Sequence, residues 1–265
     1  MKLLAIETAT SWQSVAILDG ETVLARVEQD AKGSHARTLL SAIDRLLGET
    51  GLSLTDLNGL AVSIGPGSFT GLRVGLATVL GFRTVTKLPL VAVPTLEAMA
   101  WNLRGASLPI CPVLKSRAGE VYWAQYQWTE RRTLVQLLAE RVGSPYALAQ
   151  TIQKPLLVCG DGWQAYGKDI RASLGADARM LTEADAETMR PSAVGVGLAA
   201  LPRLANGELA GPGIAPRYVQ RTEAELTHER LDGVSAAERR QQRVARKLAG
   251  KPRRKRSAVA PSSKR

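Results

Sequence analysis

The sequence predicts an α/β protein, with helices packed on mixed β-sheets. Three observations lead there. Apolar runs of strand length recur through the first 220 residues, tight-turn signals join the first three of them, and stretches with helical apolar spacing separate the later ones. At 265 residues and 45% apolar content, the chain can fill the core of one large domain or two small ones.

Residues 2–8 (KLLAIET) form an apolar run that ends in an acid, as a buried strand does. A polar turn, Ala9 to Ser11, leads to a second strand at 14–18 (SVAIL). Asp19-Gly20 signals a hairpin, and 22–28 (TVLARVE) alternates as the third strand of an antiparallel meander. Ser34 is the expected cap of a helix that runs to Gly51, with Leu39, Ile43 and Leu46, and also Leu40 and Leu47, at helical spacing. Residues 57–64 (LNGLAVSI) read as a strand, and a glycine-rich turn and a helix over 70–87 follow. Residues 90–94 (LVAVP) are the next strand, and Thr95 is the expected cap of a helix over 96–104.

A second half begins near residue 108. Its strands are ICPVLKS (110–116), EVYWAQYQW (120–128), RTLVQLLAERV (132–142) and PLLVCGDGW (155–163), the last running into a glycine turn. Helices are expected over 144–151 and 191–204, and PRYVQR (216–221) closes the folded body. The expected division is therefore 1–105, 106–221 and a tail, 222–265. Residues 221–265 carry 14 Lys/Arg against 5 Asp/Glu, whereas the other 220 carry 21 against 19. The basic character belongs to the tail, where Ser235 to Glu238 matches a capping box for a short helix and the remainder reads as disordered. Such a tail is either a solvated extension or a contact for RNA phosphates.

No run approaches the roughly 20 apolar residues that span a bilayer, and the start lacks a signal-peptide core, so a cytoplasmic protein without membrane association is expected. Cys111 and Cys159 each lie in an apolar run, as buried thiols do.

SIGPGSFTGLRVG (63–75) is the most distinctive stretch. Glycines between a strand and a helix suit phosphate, which places Glu7, Thr8, Gly65, Gly67 and Ser68 as phosphate-proximal candidates. The stretch lacks the lysine of a P-loop, and a purely structural turn is the better account of it, with Pro66-Gly67 in a type II turn and Thr70 as cap. The following helix carries one charge in GLRVGLATVLGF, and Leu72, Leu76, Val79 and either Phe82 or Arg83 can serve as a core face. It is either buried within its own domain or completed by a partner subunit. Glu7 either holds Mg²⁺ through water or accepts local hydrogen bonds. His35 has Ala31 and Leu39 four residues away, which provides no metal pair, and no nucleophile–base set has supporting context. No catalytic or metal-ligating residue is assigned.

These residues carry a resemblance. LAIETATS, SHARTLLSAIDRLLGETGLSLTDL, SIGPGSFTGLRVGLATVLGF, LVAVPTLEAMA, GEVYWAQYQ and GDGWQAY closely resemble the TsaB (YeaZ) family, in order, from Met1 to about Arg221. The resemblance implies two actin/hexokinase/Hsp70-like (ASKHA) subdomains. It also implies a role in making threonylcarbamoyladenosine beside the anticodon of tRNAs that read ANN codons. Such a protein is the non-catalytic partner of TsaD, a paralogue whose histidine pair holds a metal. It docks through its first two helices, and the same surface can form a homodimer. TsaE, an ATPase, joins the complex, so ATP and metal belong to the partner subunits and this chain brings no cofactor of its own. The implied docking residues are His35, Leu39, Ile43 and Leu46 on the first helix, with Thr70, Gly71, Arg73, Val74, Gly75, Ala77, Thr78 and Gly81 on the second.

Three features depart from the family pattern. Glu7 stands where the family has Asp, Lys115-Ser116-Arg117 stands for Asp-Ala-Arg, and the basic extension is longer. The first two weaken a metal-bridged nucleotide site. The alternatives are an autonomous nucleotide-dependent enzyme of the same fold and a tRNA-binding module acting through the tail.

Overall fold

The computed structural model describes residues 1–31, 34–217 and 219. The expected meander forms from β1 (Lys2–Glu7), β2 (Trp12–Asp19) and β3 (Thr22–Asp30), all antiparallel. After α1 (His35–Thr50), the strand β4 (Gly59–Ser63) pairs parallel to β1. After α2 (Phe69–Thr86), β5 (Leu90–Val93) pairs parallel to β4. The first sheet is thus ordered β3-β2-β1-β4-β5.

Following α3 (Thr95–Asn102), the chain repeats the plan. β6 (Ile110–Lys115), β7 (Val121–Trp128) and β8 (Leu134–Gly143) are antiparallel. Then come α4 (Pro145–Ala149), β9 (Leu156–Cys159) parallel to β6, α5 (Asp161–Leu174) and β10 (Leu181–Glu183) parallel to β9. The second sheet, read as β8-β7-β6-β9-β10, has the strand order of the first. Two copies of one mixed sheet, each flanked by helices, are the architecture expected of paired actin/hexokinase/Hsp70-like halves. α6 (Ala193–Ala205) ends the regular structure among the described residues.

Side-chain alternation divides the first core. Leu4, Ile6, Val15 and Ile17 face α1 and α2, where Leu39, Ile43, Leu46, Leu76 and Val79 meet them. Leu3, Ala5, Ala16 and Leu18 face the other way, against Ala98 of α3 and Val196 and Ala199 of α6. The second core gathers Trp123, Tyr126 and Trp128 with Leu96 and Met99 of α3 and Trp163 and Ile170 of α5.

The structure corrects several expectations. The boundary at 105/106 separates the sheets but not the chain, because α6 returns to the first sheet and residues 206–217 follow it there. Ala210 N–H donates to Leu90 O, and Arg217 N–H to Ile64 O. Ser34 sits at the start of α1, but its hydroxyl donates back to Ala31 O and caps nothing. Ser68, not Thr70, caps α2, accepting from Gly71 N–H at 3.2 Å. Thr95 lies inside α3, and its hydroxyl accepts from Gly65 N–H instead. The type II turn at Pro66-Gly67 does not form, since Gly67 has φ 157° and such a turn needs about 80° there. The glycine turn after β9 opens directly into α5, a helix the sequence reading lacked. Tyr218, Gln220 and the tail, with its capping-box helix, lie outside the described residues.

Candidate functional site

The glycines of the 63–75 stretch are explained by close packing. A Cβ on Gly67 overlaps Ala9 O, one on Gly71 overlaps Thr8 O, and one on Gly75 overlaps the Thr8 hydroxyl. Gly65 leaves room for Arg217 O, 2.6 Å from where its Cβ would be. The amides of this turn are also engaged: Ser68 N–H donates to Ala9 O at 2.6 Å and Gly65 N–H to Thr95. Thr8 completes the junction by donating its hydroxyl to Gly71 O at 2.9 Å. The turn seats α2 on the end of β1. The second half uses the same device, where Gly160 and Gly162 let the start of α5 rest on Val113 and Leu114 at the end of β6.

The other phosphate-proximal candidates are buried beneath this junction. Glu7 is fully buried, with Oε1 accepting from Ala9 N–H and Oε2 without a partner. Burial pushes its carboxyl up to about 7, partly opposed by the Ala9 N–H hydrogen bond. Thr8 is likewise buried. Only Gly67 and Ser68 of that set reach open space, at the rim of a cleft.

That cleft lies at the carboxyl ends of β1, β4, β6 and β9, between the two sheets, and encloses about 420 Å³. Thr10, Ser11, Ser68 and Phe69 form one wall, and Lys115, Ser116, Arg117 and Asp161 the other. Asp161 Oδ1 accepts from Lys115 N–H at 2.9 Å. Burial raises its carboxyl, and that hydrogen bond holds it down in part. Burial pushes the Cys111 thiol up to about 12 and raises Cys159 further, which leaves both as unreactive thiols. Among the described residues no group of three His, Cys, Asp or Glu is placed to hold a metal.

The docking residues named from the sequence fall into two groups. Leu39, Ile43 and Leu46 are buried in the chain's own core, so they anchor α1 and offer no surface. His35 is buried too, with Nε2 2.9 Å from Thr10 O, fastening the first turn of α1 to the β1–β2 connection. Gly71 and Gly75 are covered by Thr8. In contrast, Thr70, Arg73, Ala77 and Gly81 are exposed, and Val74 and Thr78 are half-buried. The sequence reading missed Leu40 as a surface residue, 56% exposed on α1, along with Phe69 at 42% and Val85 at 83% on α2. Its signal was available: Leu40 is one residue, about 100°, off the stripe of Leu39, Ile43 and Leu46.

Gly81 is the most telling position on this face. No atom lies within 4 Å of the place its Cβ would take, and the same holds for Gly48 on α1. A glycine inside a helix costs about 1 kcal/mol relative to alanine. Among the described residues no packing contact offsets that cost at either position.

Comparison with known proteins places this architecture. The family model described as "TsaD: tRNA N6-adenosine threonylcarbamoyltransferase" matches residues 27–228. The tRNA threonylcarbamoyladenosine biosynthesis protein TsaB of Escherichia coli K12 is 35% identical over 73% of this chain and 83% of its own length. Its Haemophilus influenzae counterpart is 32% identical over 67% and 79%. A Pseudomonas aeruginosa YeaZ crystal structure superposes with a TM-score of 0.69 at 26% identity, covering 82% of this chain and 99% of that one. The chain belongs to the TsaB (YeaZ) family of tRNA threonylcarbamoyladenosine biosynthesis proteins.

Proposed function

We propose that this chain is the non-catalytic docking subunit of a tRNA threonylcarbamoyl-transferring complex. It binds a TsaD-like catalytic paralogue through the exposed face of α1 and α2, and a TsaE-like ATPase joins that pair. tRNA is engaged through the complex, in the cytoplasm where tRNA is decoded, and the metal and ATP sit in the partner subunits. Alone, the chain uses the same face to pair with a second copy.

The observation that carries this reading is α2, a helix with a single charge along residues 71–82, in which Leu72, Leu76 and Val79 are buried and Val74, Leu80 and Phe82 are half-buried against the same core. Ala77 and Gly81 remain open on its outer side. Small residues there allow another helix to approach closely, and the exposed Leu40 and Val85 supply apolar area. The unreactive thiols and the buried Glu7 further support a role without chemistry of the chain's own.

Ala77→Glu tests the proposal. Ala77 is exposed, so the variant should keep its circular dichroism and melting temperature while losing co-purification with the paralogue. Wild-type affinity in a correctly folded variant would place the interface elsewhere. Gly75→Arg is unsuitable for this purpose, because the Thr8 hydroxyl occupies the space and the fold itself would suffer.

A further inference from the structure

We infer that Arg83 and Lys87, at the C-terminal end of α2, choose between partners: they seat a carboxylate of an acidic partner helix and oppose pairing of the chain with itself. The inference rests on the docking role proposed above for α1 and α2, and it names the chemistry of the partner which that face takes.

A groove of about 440 Å³ runs along the C-terminal half of α2, lined by Leu80, Arg83, Thr84, Lys87 and Pro212. Its first four residues stand at i, i+3, i+4 and i+7, so they form one stripe of the helix and its cap. Residues 210–213 form the other bank. Ala210 N–H donates to Leu90 O, and Arg83 Nη1 donates to Gly211 O at 3.3 Å. Lys87 Nζ donates to Thr84 O at 2.7 Å. Guanidinium and ammonium groups each carry several N–H donors, so both cations keep donors beyond these backbone contacts. Among the described residues neither cation has a carboxylate partner. With Leu80 and Pro212 beside them, the groove fits a carboxylate next to an apolar side chain.

The helix dipole accounts for cations at this end of α2, but not for the charge of the whole face. Residues 69–87 hold Arg73, Arg83 and Lys87 and no acid. α1 holds Arg37 and Arg45 against Asp44 and Glu49, and Arg45 Nε already lies 3.4 Å from Glu49. The two helices thus carry five cations against two acids, a net of +3. A two-fold dimer brings the same patch of both copies together. Self-pairing through this face therefore sets like charge against like, whereas a helix bearing acids meets the opposite sign. Ala77, Gly81 and Val85 serve either pairing equally, so the charges discriminate.

The test compares two equilibria of the full chain: binding to the TsaD-like paralogue, by calorimetry, and self-association, by sedimentation equilibrium. Arg83→Gln with Lys87→Asn should weaken the first about fivefold, as expected for two exposed ion pairs. The same variant should tighten the second by a similar factor. Asparagine suits position 87, where φ is 61°. Added salt should move the wild type in the same two directions. Arg83→Lys with Lys87→Arg, which keeps the charge, should recover both equilibria. Three outcomes would each overturn the inference: unchanged affinity for the paralogue, no gain in self-association, or both equilibria weakened together, as a packing defect would do. Ala77→Glu keeps the two readings apart. Paralogue binding that survives Ala77→Glu refutes the docking role, whereas docking that is lost with Ala77→Glu but indifferent to Arg83 and Lys87 refutes this inference alone.

Discussion

Gly71→Ala and Gly81→Ala place the same methyl group on the same helix, ten residues or nearly three turns apart. At Gly71 the methyl overlaps the carbonyl oxygen of Thr8, with Thr8 C at 3.3 Å and Ser68 Oγ at 3.4 Å behind it. The obstacle is backbone at the end of a central strand, and the Thr8 hydroxyl donates to the carbonyl of Gly71 itself. Neither side has a flexible group to swing away, so the cost belongs at the upper end of overpacking, about 3 kcal/mol or more. At Gly81 the methyl meets open space. There only helix propensity acts, in favour of alanine by about 1 kcal/mol. For a folded body of this size each kcal/mol moves the melting temperature by roughly 2–4 °C. Gly71→Ala should therefore melt about 6–12 °C lower than wild type, and Gly81→Ala about 2–4 °C higher, by circular dichroism. A Gly71→Ala protein melting within a degree of wild type would refute the seating of α2 on Thr8. A Gly81→Ala protein less stable than wild type would show that the glycine serves the chain's own fold.

Two further predictions concern buried acids. Glu7 ionises near 7 in the folded chain against 4.5 for the ordinary group, so the folded state disfavours the charged form. That penalty is absent below about pH 4.5, grows as pH rises to 7, and is complete above it, at about 3 kcal/mol. Glu7→Gln should match wild type in urea unfolding at pH 4.5 and exceed it at pH 8, and equal stability at both would show that the carboxylate is well solvated. Arg217 Nε lies 3.2 Å from Glu140 Oε2, and the acid's side chain is 2% exposed while the guanidinium is 53% exposed. Arg217→Ala should cost about 1–2 kcal/mol at pH 7, discounted for that exposure, and adding Glu140→Gln should recover most of it. An additive double mutant would mean that the two groups do not interact.

Much of the fold was legible because strands announce themselves through alternation and turn chemistry, as KLLAIET, SVAIL and TVLARVE do. The start of α5 was not. Gly160-Asp161-Gly162 reads as a turn until Val113 and Leu114 are placed against it, and those residues are nearly 50 positions away in sequence. α6 posed the same difficulty, since its apolar face fits either sheet and only tertiary packing chose the first. At the candidate interface, periodicity pointed the wrong way. The stripe of Leu39, Ile43 and Leu46 marks the face a helix buries in its own core, so the surface proposed for a partner is formed by the residues between the stripe positions. The cleft was hidden for a third reason: Lys115 and Arg117 line the same cavity as Thr10 and Ser68 only through the pairing of two halves.

In the proposed role this chain contributes a surface to the transfer reaction and none of its chemistry. The most direct measurement reconstitutes threonylcarbamoyl transfer to an ANN-decoding tRNA from the catalytic paralogue, the ATPase and this chain, omitting each in turn. The expected result is no transfer by this chain alone, transfer by the paralogue only when this chain is present, and loss of that stimulation with Ala77→Glu. Transfer by the isolated chain, or a full rate from the paralogue without it, would contradict the claim.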